Sequence, residues 1–299
     1  LKVGAPGTER SIGVPGFQVR ETILTSILAI LAIASLASCG GNKDIEIAVP
    51  NDSTNEARAL LLLEANGLIK LKEGAGITAT VRDIVENPYN IKFREIEAAS
   101  LPNVLKDVDF AVINSNYAIS ASLNPTKDSV AIEGSYSAYA NILAVKEGNE
   151  NTPAIKALKA ALESNQVKEF IAKQYNGAVI STVDTPTDGY DASIDYAALA
   201  GTKITVAASS TPHAEILEIA KSLLAAKQIT LEIKVFSDYI VPNNVVENGE
   251  CDANYFQHTP YLDDFNKENG THIVSVSAIH VEPMGVYSTS HKSLDEIKK

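Results

Sequence analysis

The chain has little cysteine, no concentration of positive charge and no apolar run of full membrane-spanning length, and each shortage removes a class of protein. Its 299 residues hold two cysteines, Cys39 and Cys251, in unrelated contexts, so neither a disulfide framework nor a cysteine-based zinc site is available. Lysine and arginine number 25 against 37 acidic residues, a net charge of -12, and they are scattered among the acids. A polyanionic partner such as nucleic acid is therefore excluded. Catalytic signatures are missing as well: no Gly-x-Ser-x-Gly elbow, no phosphate loop, no His-Glu-x-x-His pair. Gly74-Ala75-Gly76 does not stand between a strand and a helix, as a dinucleotide fingerprint requires. His213, His258 and His280 have no second histidine at helical ligand spacing, so no metal, no cofactor and no enzymatic activity is expected.

What is present begins near the N-terminus. Residues 23–36 form an uncharged apolar run behind Arg10 and Arg20, shorter than the roughly 20 residues a spanning helix needs, and read as the core of a signal peptide. The run ends on Leu36-Ala37-Ser38-Cys39-Gly40-Gly41-Asn42, which resembles the lipobox of bacterial lipoproteins: small residues before the cysteine suit a peptidase, and the thiol accepts a diacylglyceryl group. Residues 1–38 are thus expected to be a signal peptide with upstream sequence, and residues 39–44 a tether lipidated at Cys39. The mature protein is expected to sit on the extracytoplasmic face of the cell membrane, held there by that lipid.

Beyond the tether the chain alternates strands and helices, and one pattern occurs twice. Residues 45–49 alternate as a strand, Asp52-Ser53-Thr54 supply helix caps, and residues 57–68 are helix formers ending at Gly67. Residues 204–207 repeat the strand, Ser209-Ser210-Thr211-Pro212 the cap with an early proline, and residues 214–226 the helix. Two such units half a chain apart predict two α/β lobes of similar build. Further helices are expected over 79–85, 101–106, 153–175 (broken near Ser164), 243–248 and 261–269. Further strands are expected over 92–96, 110–113, 139–145, 231–236, 273–276 and 281–287. Residues 181–201, rich in Asp, Thr and Ser and without period, read as a linker.

The polar candidates sit where strands end. Asn55 and Arg58 lie three apart at a helix N-terminus and face the same way. Such a terminus attracts an anion and a guanidinium fork holds a carboxylate by two hydrogen bonds, so the turn suits an amino-acid carboxylate; a solvated helix start fits the same spacing. Asn114 and Asn141, at a strand end and on a strand, carry amide oxygens suited to an ammonium group or to a turn. Tyr239, Phe256, His258 and Tyr261 crowd rings into few residues, as either an apolar slot or a core cluster does.

Six strings carry a resemblance: residues 48–56 with Arg58, 111–118, 139–141, 212–217, 252–262 and 280–285. Together they are similar to the MetQ/NlpA family of methionine-binding lipoproteins. The order of the blocks departs from that family, in which a block like that starting at Lys203 comes first and, through a Lys-Ser-Leu-Asp-Glu segment like residues 292–296, leads into a block like that starting at Ile45. The chain thus looks circularly permuted. The resemblance implies an α/β, two-lobed, periplasmic-binding-protein fold of type II-like form, closing about two crossover strands near residues 137–142 and 283–288. It implies a carboxylate-binding lobe of residues 45–136 plus 289–299, and a side-chain lobe of residues 137–288 that includes the linker. By position, Asn55, Arg58, Asn114 and Asn141 would hold the carboxylate and ammonium of L-methionine, while Tyr239, Phe256, His258 and Tyr261 would enclose its side chain. The partners implied are L-methionine or a close analogue and an ABC importer permease. D-methionine, a methionine-containing dipeptide, or a surface adhesin without transport are the alternatives.

Overall fold

A computed structural model describes residues 44–134 and 137–299. The expected signal peptide, Cys39 and all of the tether but Asp44 lie outside the described residues. No helix among the described residues is long and apolar enough to cross a membrane.

Along the chain the strands are β1 (Glu46–Pro50), β2 (Lys70–Leu71), β3 (Ile84–Glu86), β4 (Lys92–Ile96), β5 (Phe110–Ile113), β6 (Ala131–Ile132), β7 (Ala140–Lys146), β8 (Ile180–Ser181), β9 (Lys203–Ser209), β10 (Thr230–Phe236), β11 (Ala253–His258), β12 (Ile273–Val281) and β13 (Gly285–Tyr287). The helices are α1 (Ser53–Ala65), α2 (Leu101–Val104), α3 (Ser115–Ser120), α4 (Pro125–Asp128), α5 (Pro153–Leu162), α6 (Asn165–Tyr175), α7 (Glu215–Ala225), α8 (Val241–Glu247) and α9 (Thr259–Asn269).

Among the described residues each lobe is built on one large sheet, and β2 and β3 pair as a separate two-stranded sheet. The first large sheet has the order β4-β1-β5-β13-β6 and the second β10-β9-β11-β7-β12-β8. In each, the strand that opens the repeated unit lies between its two successors, and all three run parallel: β4-β1-β5 in one lobe, β10-β9-β11 in the other. The duplicated strand–cap–helix pattern therefore marks two lobes of like topology. Parallel strands are covered on both faces, which is why β1, β5 and β9 read as short runs of Val, Ile and Ala. Each lobe has its own core, one around Leu60, Leu63, Phe110 and Val286, the other around Leu143, Leu158, Leu217 and Tyr255.

The chain passes between lobes twice, from β6 to β7 and from β12 to β13 through Glu282-Pro283-Met284. β13 pairs with β5 and β6, so residues 285–287, grouped from sequence with the side-chain lobe, belong by pairing to the first lobe.

Three local expectations are corrected. Residues 79–85 do not form a helix: Thr80 and Asp83 close a capping box on one 3-10 turn, after which the β-branched pair Ile84-Val85 extends into β3. Residues 273–281 are a single bulged strand, since β12 follows β7 along its length. The strand β11, not anticipated, is central to the second sheet; its polar residues Asn254, Gln257 and His258 hid it, and all are buried.

Residues 182–202 contain no regular element, yet they are packed. Tyr190, Ile194, Tyr196 and Leu199 lie against the second core, the Tyr190 hydroxyl donates to the Leu223 carbonyl at 3.2 Å, and the Lys227 ammonium stands 4.3 Å over the Tyr190 ring. In the first lobe, Leu294 and Ile297 share a core with Ile47, against which Ile45 packs, and the His291 ring stacks on Phe110. The residues that open β1 and the last turn of the chain are thus neighbours.

Candidate functional site

The carboxyl ends of the parallel strands of both sheets open onto one cavity, as expected for ligand sites in open α/β sheets. Asp52 follows β1 and caps α1, accepting the Asn55 amide at 3.0 Å; burial raises its pKa against those hydrogen bonds. Asn114 follows β5, Tyr239 follows β10, and His258 ends β11. Asn141 begins the antiparallel β7 and so pairs in register with His258.

This cavity, partly open to solvent, is lined by all eight residues singled out from sequence: Asn55, Arg58, Asn114, Asn141, Tyr239, Phe256, His258 and Tyr261. Ser115, Asn116, His213, Gln257 and Glu282 line it too. Of these, Glu282 left one signal in the sequence, a carboxylate set among apolar residues Val281, Pro283 and Met284. His213 is weighed from sequence only as a metal ligand, and Ser115, Asn116 and Gln257 became visible only when the loops came together.

Arg58 is nearly buried, with 5 % of its surface exposed. Its Nε donates to both oxygens of Glu133, at 3.0 and 2.9 Å, its Nη2 donates to Glu133 and to the Glu282 carbonyl at 2.8 Å, and its plane lies 4.4 Å from the Tyr139 ring. The side-on fork expected to take a ligand carboxylate is therefore occupied by Glu133. Among the described residues, Nη1 has no hydrogen-bond partner, and its two N–H groups are the donors left for the cavity.

The amides are bound to one another in a chain. Asn114 Nδ2 donates to Asn55 Oδ1 at 2.8 Å, and Asn55 Nδ2 donates to Asp52 at 2.8 Å. Asn114 Oδ1 is buried with no partner. An unpaired buried acceptor costs about 1–3 kcal/mol, so a donor is called for at this spot. The Asn141 oxygen differs: it already accepts from His213 Nε2 at 2.8 Å, which leaves it a single further lone pair.

Behind His213 lies a buried network. His280 Nδ1 accepts from the Tyr255 hydroxyl, so its Nε2–H points to Glu282 Oε1 at 2.7 Å, and His213 Nε2 reaches the same oxygen at 3.2 Å. The ligating atoms of His213, His280 and Glu282 lie within 4.8 Å of one another, a spacing a metal ion also accepts, and His213 Nδ1 has no hydrogen-bond partner among the described residues. Burial pushes His213 and His280 down to about 3, so both are neutral near pH 7, and burial raises Glu282. Burial, with the Arg58 cation beside it, likewise pushes His258 down to about 3.

The opposite wall is aromatic. Tyr239, Phe256 and Tyr261 form a triangle of rings with centroids 6.0, 5.8 and 6.1 Å apart. They pack on one another and line the cavity at once, so core cluster and apolar slot, the two alternatives left open by sequence, coexist. Contacts between lobes close the cleft: the Tyr239 hydroxyl donates to Asn116 Oδ1 at 2.7 Å, the Tyr117 hydroxyl to the Ser237 carbonyl at 3.1 Å, and Ser53 to Asp264.

Comparison with known proteins adds relatives to this geometry. The chain is 47 % identical over 135 residues to the membrane lipoprotein TpN32 of Treponema pallidum, covering 45 % of this chain and 50 % of the relative. It is 44 % identical over 137 residues to the D-methionine-binding lipoprotein MetQ of Escherichia coli K12, covering 45 % and 51 %. Among solved structures, a nutrient-binding protein from Burkholderia cenocepacia bound to methionine is 52 % identical, with a TM-score of 0.45, over 46 % of this chain and 58 % of that one. The chain spans about half the length of the curated relatives it matches. The family described as NlpA lipoprotein matches residues 33–183 and 204–299, most of the chain, and the protein belongs to that family.

Proposed function

We propose that this protein is the substrate-binding lipoprotein of an ABC importer and that it binds methionine, L-methionine first, in the cleft between its lobes. The observation that carries this reading is one cavity holding the free Arg58 Nη1 edge and the unpaired Asn114 Oδ1, with the Tyr239-Phe256-Tyr261 wall facing them. A cation with donors to spare suits a carboxylate, a buried acceptor suits an ammonium, and ring edges suit a thioether, at about 0.3–1.5 kcal/mol per contact. Asn55, Asn141 and His258 serve in this reading as the frame that orients those groups. Relatives named D-methionine-binding lipoproteins support the ligand class and also favour the D-enantiomer as the second reading.

No step in this proposal makes or breaks a bond; function is capture, hinge closure about the two crossovers, and delivery to a permease. A lipid on Cys39 would hold the protein to the extracytoplasmic face of the membrane. Mass spectrometry of ligand released from the denatured protein, followed by calorimetry with L-methionine, D-methionine and a methionine-containing dipeptide, tests the reading. Methionine in the released fraction and tightest binding of L-methionine are expected; absence of binding by any of the three would refute it.

We also propose that the block order is that of a circular permutant. The like topology of the two lobes, the contact of residues 291–297 with residues 45–47 and Phe110, and the break of the family match at 184–203 support it. In that order the tether leads into the first lobe at Ile45. A chain reordered as residues 203–299 followed by 45–181 should fold and bind with unchanged affinity; a reordered chain that stays unfolded would count against permutation.

A further inference from the structure

Glu133 holds more of the cleft together than a counter-ion needs to. Its carboxylate takes Arg58 side-on, through Nε and Nη2, and the same Oε2 accepts the Met284 amide at 3.1 Å. Its own amide donates to the Met284 carbonyl at 2.8 Å. Glu133 belongs to the first crossover, Met284 to the second, and Arg58 to the helix whose N-terminus faces the cavity. Arg58 in turn rests on Tyr139 in the first crossover and donates to the Glu282 carbonyl in the second. One buried ion pair thus joins both hinge segments to the residue that faces the ligand.

We propose that Glu133 is a positioning residue for ligand carboxylate recognition: it fixes the Arg58 guanidinium so that only the Nη1 edge meets the cavity, and it locks that edge to both crossovers. The inference rests on the reading of the cleft as an amino-acid site. Two roles were open to this carboxylate. As a competitor, it would occupy Arg58 in the empty cleft and swing away when ligand arrives. The Met284 amide bond to Oε2 argues against release, since the carboxylate cannot swing away without breaking it, while the Glu133 amide bond to the Met284 carbonyl holds the backbone of the two crossovers together. As a positioner it stays, and the ligand carboxylate shares the cation end-on. The Arg58 and Glu133 charges cancel one another, so neither partner is left buried and unpaired when the cleft holds no ligand.

The test compares the wild type with Glu133→Gln, which keeps shape and removes charge. Binding of L-methionine and of L-methioninamide, which lacks the carboxylate, is measured by ligand-observed NMR and calorimetry. The methionine-to-methioninamide affinity ratio is expected to fall at least ten-fold in the variant. A parallel readout needs no ligand: the Arg58 Hε resonance, slow to exchange with solvent in the wild type, should exchange fast in Glu133→Gln. An unchanged ratio with unchanged Hε protection overturns the proposal, as does tighter methionine binding by the variant, which identifies a competitor. Should wild type bind no methionine while Hε protection is lost on substitution, the ligand assignment fails and the clamp stands.

Discussion

Asn55, Arg58 and Asn114 in the first lobe and Tyr239, Phe256 and Tyr261 in the second face the same cavity, yet they are held in place by different forces. The first group is fixed by directional bonds, each polar atom spoken for except Nη1 of Arg58 and Oδ1 of Asn114. The second is held mainly by ring-on-ring packing at about 6 Å, which tolerates small shifts, with the Tyr239 and Tyr261 hydroxyls tied at the edge by one hydrogen bond each. The difference teaches where specificity and adaptability reside: an unpaired buried polar atom rejects a ligand that cannot satisfy it, whereas an aromatic wall only grades ligands by size and shape.

The largest break in this comparison comes from Arg58→Ala. It removes the cation and leaves the Glu133 charge unpaired at the hinge, so stability to urea should fall by about 3–5 kcal/mol and methionine affinity by about 2 kcal/mol or more. Affinity unchanged by calorimetry would sink the carboxylate assignment.

Acid is the next lever, and it acts on the frame. His213, His258 and His280 titrate near 6.5 when exposed and near 3 when folded. With depressed values, the unfolded chain takes up protons first, so their contribution is whole above pH 6.5 and is lost as pH falls toward 3, at up to about 1.4 kcal/mol per pH unit for each. Glu282 runs oppositely: its raised value gives stability below 4.5 that is lost as pH rises. Asp52 and Glu56, also raised by burial, run with Glu282; the imidazoles, whose unfolded value lies inside the window, set the sign between pH 7 and pH 5, so the urea midpoint should drop, and a flat profile would mean these rings are hydrated.

Phe256→Ala tests the aromatic wall. Methionine should lose about 1–3 kcal/mol of binding and alanine much less, because only the longer side chain reaches the rings; equal losses argue against a thioether slot. The smallest effect is expected from Tyr239→Phe, which deletes the 2.7 Å bond to Asn116 across the cleft while keeping the ring. A cost near 1 kcal/mol, seen as weaker closure by small-angle scattering with affinity little changed, would separate the hydroxyl's role from the ring's.

Much of this was legible in residues. The doubled strand–cap–helix pattern gave two lobes of like topology, because strands buried on both faces must be short runs of Val, Ile and Ala wherever they occur. The eight site residues were named from strand ends, a helix cap and an aromatic cluster together with the family resemblance, and all eight reach one cavity. The helix wrongly expected over 79–85 had helix formers and a capping box, but β-branched Ile84 and Val85 found a strand partner in Lys70-Leu71. β11 escaped notice because its buried polar residues bond to one another: Gln257 donates to Asn243 and Asn254, and Asn254 to Asn243.

By itself, then, the sequence determined the alternation of elements, the two-lobed repeat and the residue types at the strand ends, since these follow from local periodicity and capping. Tertiary structure alone decided which partner each polar group takes. Glu133 lies 75 residues from Arg58, and Met284 lies 151 from Glu133. Nothing local marks such pairs; they exist because two crossovers run side by side and a buried charge accepts no arrangement in which it stands alone.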